Sequence, residues 1–153
     1  MNLANLFSLK IRTEDFDTVA AKPELLNRLR SLTLHPGSGM NHELNHLLKS
    51  AKERSINAKV LLAYRKRELV GWALLSREKT DFTFARSWTG FAPEQGYLLQ
   101  VFVNPDYRRQ GIGSALVKSA RKKAGSLQLC ICPWDYQSEK FYENFEHYKH
   151  IKL

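Results

Sequence analysis

Residues 97–117 read YLLQVFVNPDYRRQGIGSALV, and this stretch decides the fold. Leu98 to Val103 is an apolar, strand-like run that stops at Asn104-Pro105-Asp106. An arginine pair and a glycine-spaced turn follow, Arg108-Arg109-Gln110-Gly111-Ile112-Gly113, and the turn opens into a helical pattern from Ser114 to Lys123. Strand, glycine loop and helix in that order present backbone N–H groups to a phosphate. Gly111 and Gly113 carry no side chain, so the main chain there can approach an anion closely. Successive N–H groups make a concavity for oxygen atoms, and the positive end of the helix adds attraction. Arg108 and Arg109 supply forked donors suited to phosphate. The stretch predicts a pyrophosphate-bearing ligand and the place where it sits.

Working outward, residues 6–12 (LFSLKIR) alternate like a first strand. Pro23, at a tolerated early position, opens a helix with the apolar stripe Leu25, Leu26, Leu29 and Leu32. His35-Pro36-Gly37-Ser38-Gly39 is a breaker, and a second helix over residues 41–54 is expected to bury Leu44, Leu47, Leu48 and Ala51. Residues 59–64 and 69–76 form a hairpin across the polar turn Arg65-Lys66-Arg67-Glu68. The connection over residues 77–96 exceeds the usual length. It carries Phe82, Phe84, Trp88 and Phe91, which either line a ligand pocket or pack on the hairpin. A strand over 127–132, a helix over 137–145 and an extended piece over 148–153 complete the order βααβββαβαβ. This is an α/β fold, a single domain over residues 1–153 with helices on both faces of one sheet.

Lysine and arginine number 24 against 15 acidic residues, a net charge of +9. Such a charge attracts anions, whether a phosphorylated cofactor, nucleic acid or an acidic acceptor, and also serves plain solubility. Arg108, Arg109, Lys118, Arg121, Lys122 and Lys123 are expected to cluster around the glycine loop and its helix, which favours a local phosphate site. No apolar run approaches the ~20 residues of a membrane helix. The opening MNLANLFSLKIRTEDF has no basic start and no small-residue cleavage pattern, so a cytoplasmic protein is expected. Cys130 and Cys132 share one face of a strand, which disfavours a disulfide between them. Without a further Cys or His cluster they make a poor zinc site, and they read as reduced core thiols.

Residues 103–116 (VNPDYRRQGIGSAL) resemble the GNAT superfamily of acyl-CoA-dependent N-acetyltransferases. That family's signature is Gln/Arg-x-x-Gly-x-Gly/Ala, here Arg108-Arg109-Gln110-Gly111-Ile112-Gly113, and the element order of the whole chain matches as well. The resemblance implies a mixed, mostly antiparallel central sheet. It implies that Arg109 to Ser114, with Ile112 and Gly113 among them and Arg108 beside them, hold the pyrophosphate of coenzyme A. It further implies that the backbone around Phe102, at Val101 and Val103, hydrogen-bonds the pantetheine arm as an added strand would. Residues 135–145 (DYQSEKFYENF) resemble the family helix Asn-x-x-Ala-x-x-Phe-Tyr-Glu-x-x-Gly-Phe. Asp135 replaces Asn, Ser138 replaces Ala, Phe141-Tyr142-Glu143 match, and Phe145 arrives early. The resemblance carries the leaving-group acid onto Tyr142. A phenol of pKa about 10 can serve beside a thiolate of pKa about 8.5; the alternative is an amphipathic core tyrosine.

The implied activity is transfer of an acetyl group from acetyl-CoA to a primary amine, by direct attack in a ternary complex, releasing coenzyme A. An alkylammonium of pKa about 10.4 must first lose a proton. Where some relatives carry a carboxylate this chain has Leu99 and Gln100, which accept no proton usefully. Glu94, a water chain or an acceptor that arrives neutral would substitute. No cysteine occupies a motif position, so an acyl-enzyme is not favoured. The acceptor is an amine of unspecified identity; no membrane partner is expected, nucleic acid is disfavoured, and a homodimer is left open.

His42-Glu43-Leu44-Asn45-His46 matches the H-E-x-x-H pattern, in which two histidines on one helix face bind zinc and the glutamate activates water. A third ligand is needed. The extended pattern would require Gly at Lys49 and His at Lys52, Glu53 lies on the same helix, and His35 is across a Pro-Gly break. Chance is the favoured reading, no metal is expected, and a zinc hydrolase is the remote alternative. A catalytically weak module with a basic surface for nucleic acid or acidic partners is the nearer alternative, though no nucleic-acid motif is present.

Overall fold

The computed structural model describes residues 8–33, 40–83 and 96–131. The expected helix over 137–145 and strand over 148–153, together with Phe84, Trp88, Phe91, Glu94, Cys132 and Tyr142, lie outside the described residues.

Four strands pair in chain order. β1 (Leu9–Asp15) runs antiparallel to β2 (Lys59–Arg65), with Leu9 opposite Arg65 and Asp15 opposite Lys59. β2 turns through Lys66 and Arg67 into β3 (Glu68–Ser76), with Arg65 opposite Glu68 and a register shift between Ala63 and Tyr64. β3 pairs antiparallel with β4 (Gly96–Val103), Gly71 facing Val103 and Ser76 facing Leu98. β5 (Gln128–Ile131) joins β4 in parallel, from Gly96 opposite Gln128 to Leu99 opposite Ile131. A parallel neighbour needs a crossover. The helix after the glycine loop provides it.

The two-residue period of the strands sorts their side chains into two cores. On one face Val60, Leu62, Trp72, Leu74, Leu98 and Phe102 meet three helices, α1 (Phe16–Ala20), α2 (Pro23–Thr33) and α3 (Met40–Ser50). On the other, Leu61, Ala63, Val70, Ala73, Leu75, Leu99 and Val101 meet α4 (Ile112–Ala124). Helices therefore cover both faces. β2 and β3 are buried on both sides, which is why they read as continuous apolar runs rather than alternating ones. Gly71 permits a close approach: a Cβ there would lie 2.9 Å from the Phe102 carbonyl oxygen and 3.3 Å from Cγ2 of Ile112.

Three local expectations shift. A third helix, α1, precedes the two expected between β1 and β2; its five residues are too few for a helical period to show, although Phe16 and Val19 are fully buried. β1, described over Leu9–Asp15, runs three residues past the expected end at residue 12, because the alternation of this polar strand is too weak to mark where it stops. α3 ends at Ser50, not at Arg54, and residues 51–54 form a turn.

Candidate functional site

The chain leaves β4 at Val103 and is turned by its own polar groups. Asn104 N–H donates to the Val70 carbonyl at 2.9 Å, and Asn104 Oδ1 accepts from Asp106 N at 3.0 Å. Pro105 starts a 3-10 turn over Pro105–Tyr107, where its missing N–H costs nothing. Two left-handed residues then bracket Gln110: Arg109 at φ 64° and Gly111 at φ 82°. Glycine adopts that conformation freely, whereas an arginine pays on the order of 1–2 kcal/mol. Such residues concentrate at functional sites.

Gly111 is the N-cap of α4. No side chain caps it, and the first turn carries no acidic residue. The first N–H groups of a helix have no intrahelical partner. Ile112 is buried and anchors the helix start, while Gly113 and Ser114 are half-buried. The bend thus offers main-chain donors at the positive end of a 13-residue helix. Arg108 and Arg109 are exposed beside it, and Arg108 Nε donates to the Val103 carbonyl at 3.3 Å.

The expected cluster of six cations is not one cluster. Arg121, Lys122 and Lys123 stand in the last turn of α4, roughly 14 Å along the axis from its start at 1.5 Å per residue. There they complement the negative helix end, and Arg121 donates to the carbonyls of Gly125, at 2.7 Å, and Leu127. The hairpin brings other charges. Arg65 Nη1 donates to Gln110 Oε1, and its guanidinium carbon lies 6.0 Å from the centroid of the Tyr107 ring. Tyr107 OH donates to Glu68 Oε2 at 2.5 Å, and that hydrogen bond, with burial and the Glu68 charge, raises the phenol above the usual tyrosine range. An open cleft beside this hairpin end is lined by Arg28, Arg65, Lys66 and Arg67 against Glu68, so the hairpin contributes to the positive potential here.

On β4, Val101 and Phe102 are buried on opposite faces and Val103 is half-buried. Gln100 is also buried, and among the described residues its Oε1 has no hydrogen-bond partner; nor has Trp72 Nε1. The two are diagonal neighbours on one face, since Trp72 pairs with Phe102 and Leu74 with Gln100.

The H-E-x-x-H residues are used differently from a metal site. Glu43 points into the protein, 3% exposed, and its carboxylate accepts from Thr83 N at 2.9 Å and from the Thr83 hydroxyl. His46 Nε2 donates to the Thr80 carbonyl at 2.7 Å, and His42 is exposed. Fully buried Asp81 accepts from Arg54 Nη2 and Ser76 Oγ, both at 2.6 Å. Together these bonds pin residues 76–83 to α3 and the turn that follows it. Glu43→Ala should therefore destabilise by about 2 kcal/mol, since the half-buried Thr83 N–H and hydroxyl lose a charged acceptor. Urea denaturation measures the loss, and zinc or a chelator should leave the wild-type midpoint unchanged.

A family model described as the acetyltransferase (GNAT) family matches residues 27–146. The chain belongs to the acetyltransferase (GNAT) family. As a GNAT protein it is an acyltransferase. Its fold is shared with solved GNAT structures of low sequence identity. An aminoglycoside N-acetyltransferase in complex with CoA is 16% identical, with a TM-score of 0.57, over 95% of this chain and 92% of that one. A histone acetyltransferase and related acetyltransferase from Corynebacterium glutamicum is 17% identical, with a TM-score of 0.57, over 89% and 82%. An aminoglycoside acetyltransferase from an uncultured soil metagenomic sample, in complex with sisomicin, is 13% identical, with a TM-score of 0.55, over 96% and 93%. No curated protein matches this GNAT chain. Among the described residues no helix is long and apolar enough to cross a membrane.

Proposed function

We propose that this GNAT protein transfers an acetyl group from acetyl-CoA to a primary amine within a ternary complex, as a single cytoplasmic domain over residues 1–153. The observation that carries the reading is the uncapped, acid-free start of α4 behind the left-handed pair Arg109 and Gly111. Such a bend suits a diphosphate: main-chain N–H groups from Gln110 through Ser114 donate to its oxygens, and Arg108 and Arg109 close over it as forked cations. Ile112 holds the bend down by its burial, and Gly113 leaves room for the ligand. The main chain of Val101, Phe102 and Val103 then takes the pantetheine arm as an added strand.

When bound, acetyl-CoA supplies an activated thioester. The amine nitrogen forms the new C–N bond, the C–S bond breaks, the nitrogen gives up a proton and the sulfur gains one. Main-chain N–H near Val101 stabilises the oxyanion, and Tyr142 protonates the leaving sulfur. Leu99 and Gln100 cannot take the amine proton, so it leaves through water or through Glu94, unless the acceptor arrives neutral. The names of the aminoglycoside acetyltransferases that share the fold support an amine as acceptor, and the CoA complex of one supports the cofactor.

Thiol release from acetyl-CoA across a panel of amines tests the reaction. Tyr142→Phe should lower turnover by at least about 100-fold, the scale of one general acid, with CoA affinity held within twofold. An unchanged rate removes that role. No thiol release with any amine, alongside salt-sensitive binding of nucleic acid, would favour the binding-module reading.

A further inference from the structure

We infer that the end of the β2–β3 hairpin is a positioning element for the glycine loop: Arg65 and Glu68, acting through Gln110 and Tyr107, hold residues 107–111 in the bend that exposes the α4 amides. The inference rests on the proposal that this loop binds the diphosphate of coenzyme A.

The bend contains a left-handed arginine and a left-handed glycine on either side of Gln110. Strained conformations persist only where surrounding structure over-determines them, so something outside the loop must hold this one. The loop's own bonds account for its first half, with Asn104 tied to Val70 and to Asp106. The second half is tied to the hairpin. Arg65 donates to the Gln110 side chain and lies over the Tyr107 ring, two residues three apart that bracket Arg108 and Arg109. Glu68 takes the Tyr107 hydroxyl.

Arg65 and Glu68 are cross-strand partners on either side of a two-residue turn, so they reach the loop as one rigid pair. That turn includes Lys66 at φ 57°, which joins Arg109 and Gly111 as a left-handed residue in this corner of the fold. The arrangement asks for arginine. A planar guanidinium can lie over a ring while giving a directed N–H to an amide oxygen, whereas a lysine ammonium is a point donor.

The test uses the intact protein with and without coenzyme A. In the unliganded protein, Arg65→Met should speed amide hydrogen exchange over residues 108–113 about tenfold, because local opening is then less opposed. CoA Kd by calorimetry and KM for acetyl-CoA should each rise about tenfold, the scale of one hydrogen bond that preorganises the loop, with kcat within twofold. Arg65→Lys should recover only part of the affinity. In a cycle with Gln110→Ala, which keeps the main-chain N–H, the double variant should lose no more than Arg65→Met alone. Wild-type exchange and affinity in a folded Arg65→Met protein would overturn the inference, and so would fully additive losses in the cycle. If the wild type itself gave no heat with coenzyme A, the cofactor assignment would fall, while the exchange data would still show whether the hairpin holds the loop.

Discussion

Gly96→Ala is expected to cost about 3–4 kcal/mol of stability, the sum of severe overpacking and lost ladder hydrogen bonds. A Cβ at Gly96 would lie 2.0 Å from the Gln128 carbonyl oxygen and 2.7 Å from its carbon. Both are backbone atoms of the paired strand, so no side chain can swing away. β5 would have to withdraw from β4 at the first pair of a register only four residues long. Urea denaturation and thermal melting read the effect, and a fall in Tm of roughly 10 °C is expected for a chain of this size. A loss below about 1 kcal/mol, the cost of an ordinary substitution, would contradict the parallel pairing of Gly96 with Gln128.

Gly113→Glu should separate binding from folding by moving them in opposite directions. Residue 113 is the second residue of α4 and has no positive φ. Glutamate is a better helix former than glycine by about 0.5 kcal/mol, and a carboxylate in the first turn gains roughly 0.3–1 kcal/mol from the helix dipole. The melting temperature should hold or rise. The same carboxylate would occupy the space proposed for the diphosphate and repel it, so CoA affinity should fall more than about 100-fold, or over ~2.7 kcal/mol. Because the variant is expected to be at least as stable as wild type, lost binding could not be put down to unfolding. Retained affinity would place the cofactor elsewhere.

What local periodicity can carry was legible in the sequence. The hairpin, the stripes of α2 and α3, and the strand–loop–α4 unit each follow from residues close in the chain, and the apolar residues expected in those helices do face the core. The signature at residues 108–113 named the family because it combines local geometry with composition. What failed to show depends on placement across the sheet. Arg65 and Gln110 meet only because β2, β3 and β4 lie side by side in a particular register. Glu43 looked like half of a metal motif because its true partner, Thr83, lies 40 residues downstream. The grouping of Arg121–Lys123 with the glycine loop was proximity in the chain mistaken for proximity in space, since a helix carries its last turn away from its first.

Gly71 has a consequence that reaches beyond its own strand. With no side chain there, the Ile112 methyl group settles almost onto the main chain of β3. The height at which α4 rides over the sheet is therefore levelled at a residue that need never meet a ligand. A bulkier residue at 71 would tilt the start of the helix outward and carry its amides along. Ranking acetyltransferase sequences by their signature glycines alone would overlook the shim beneath the platform.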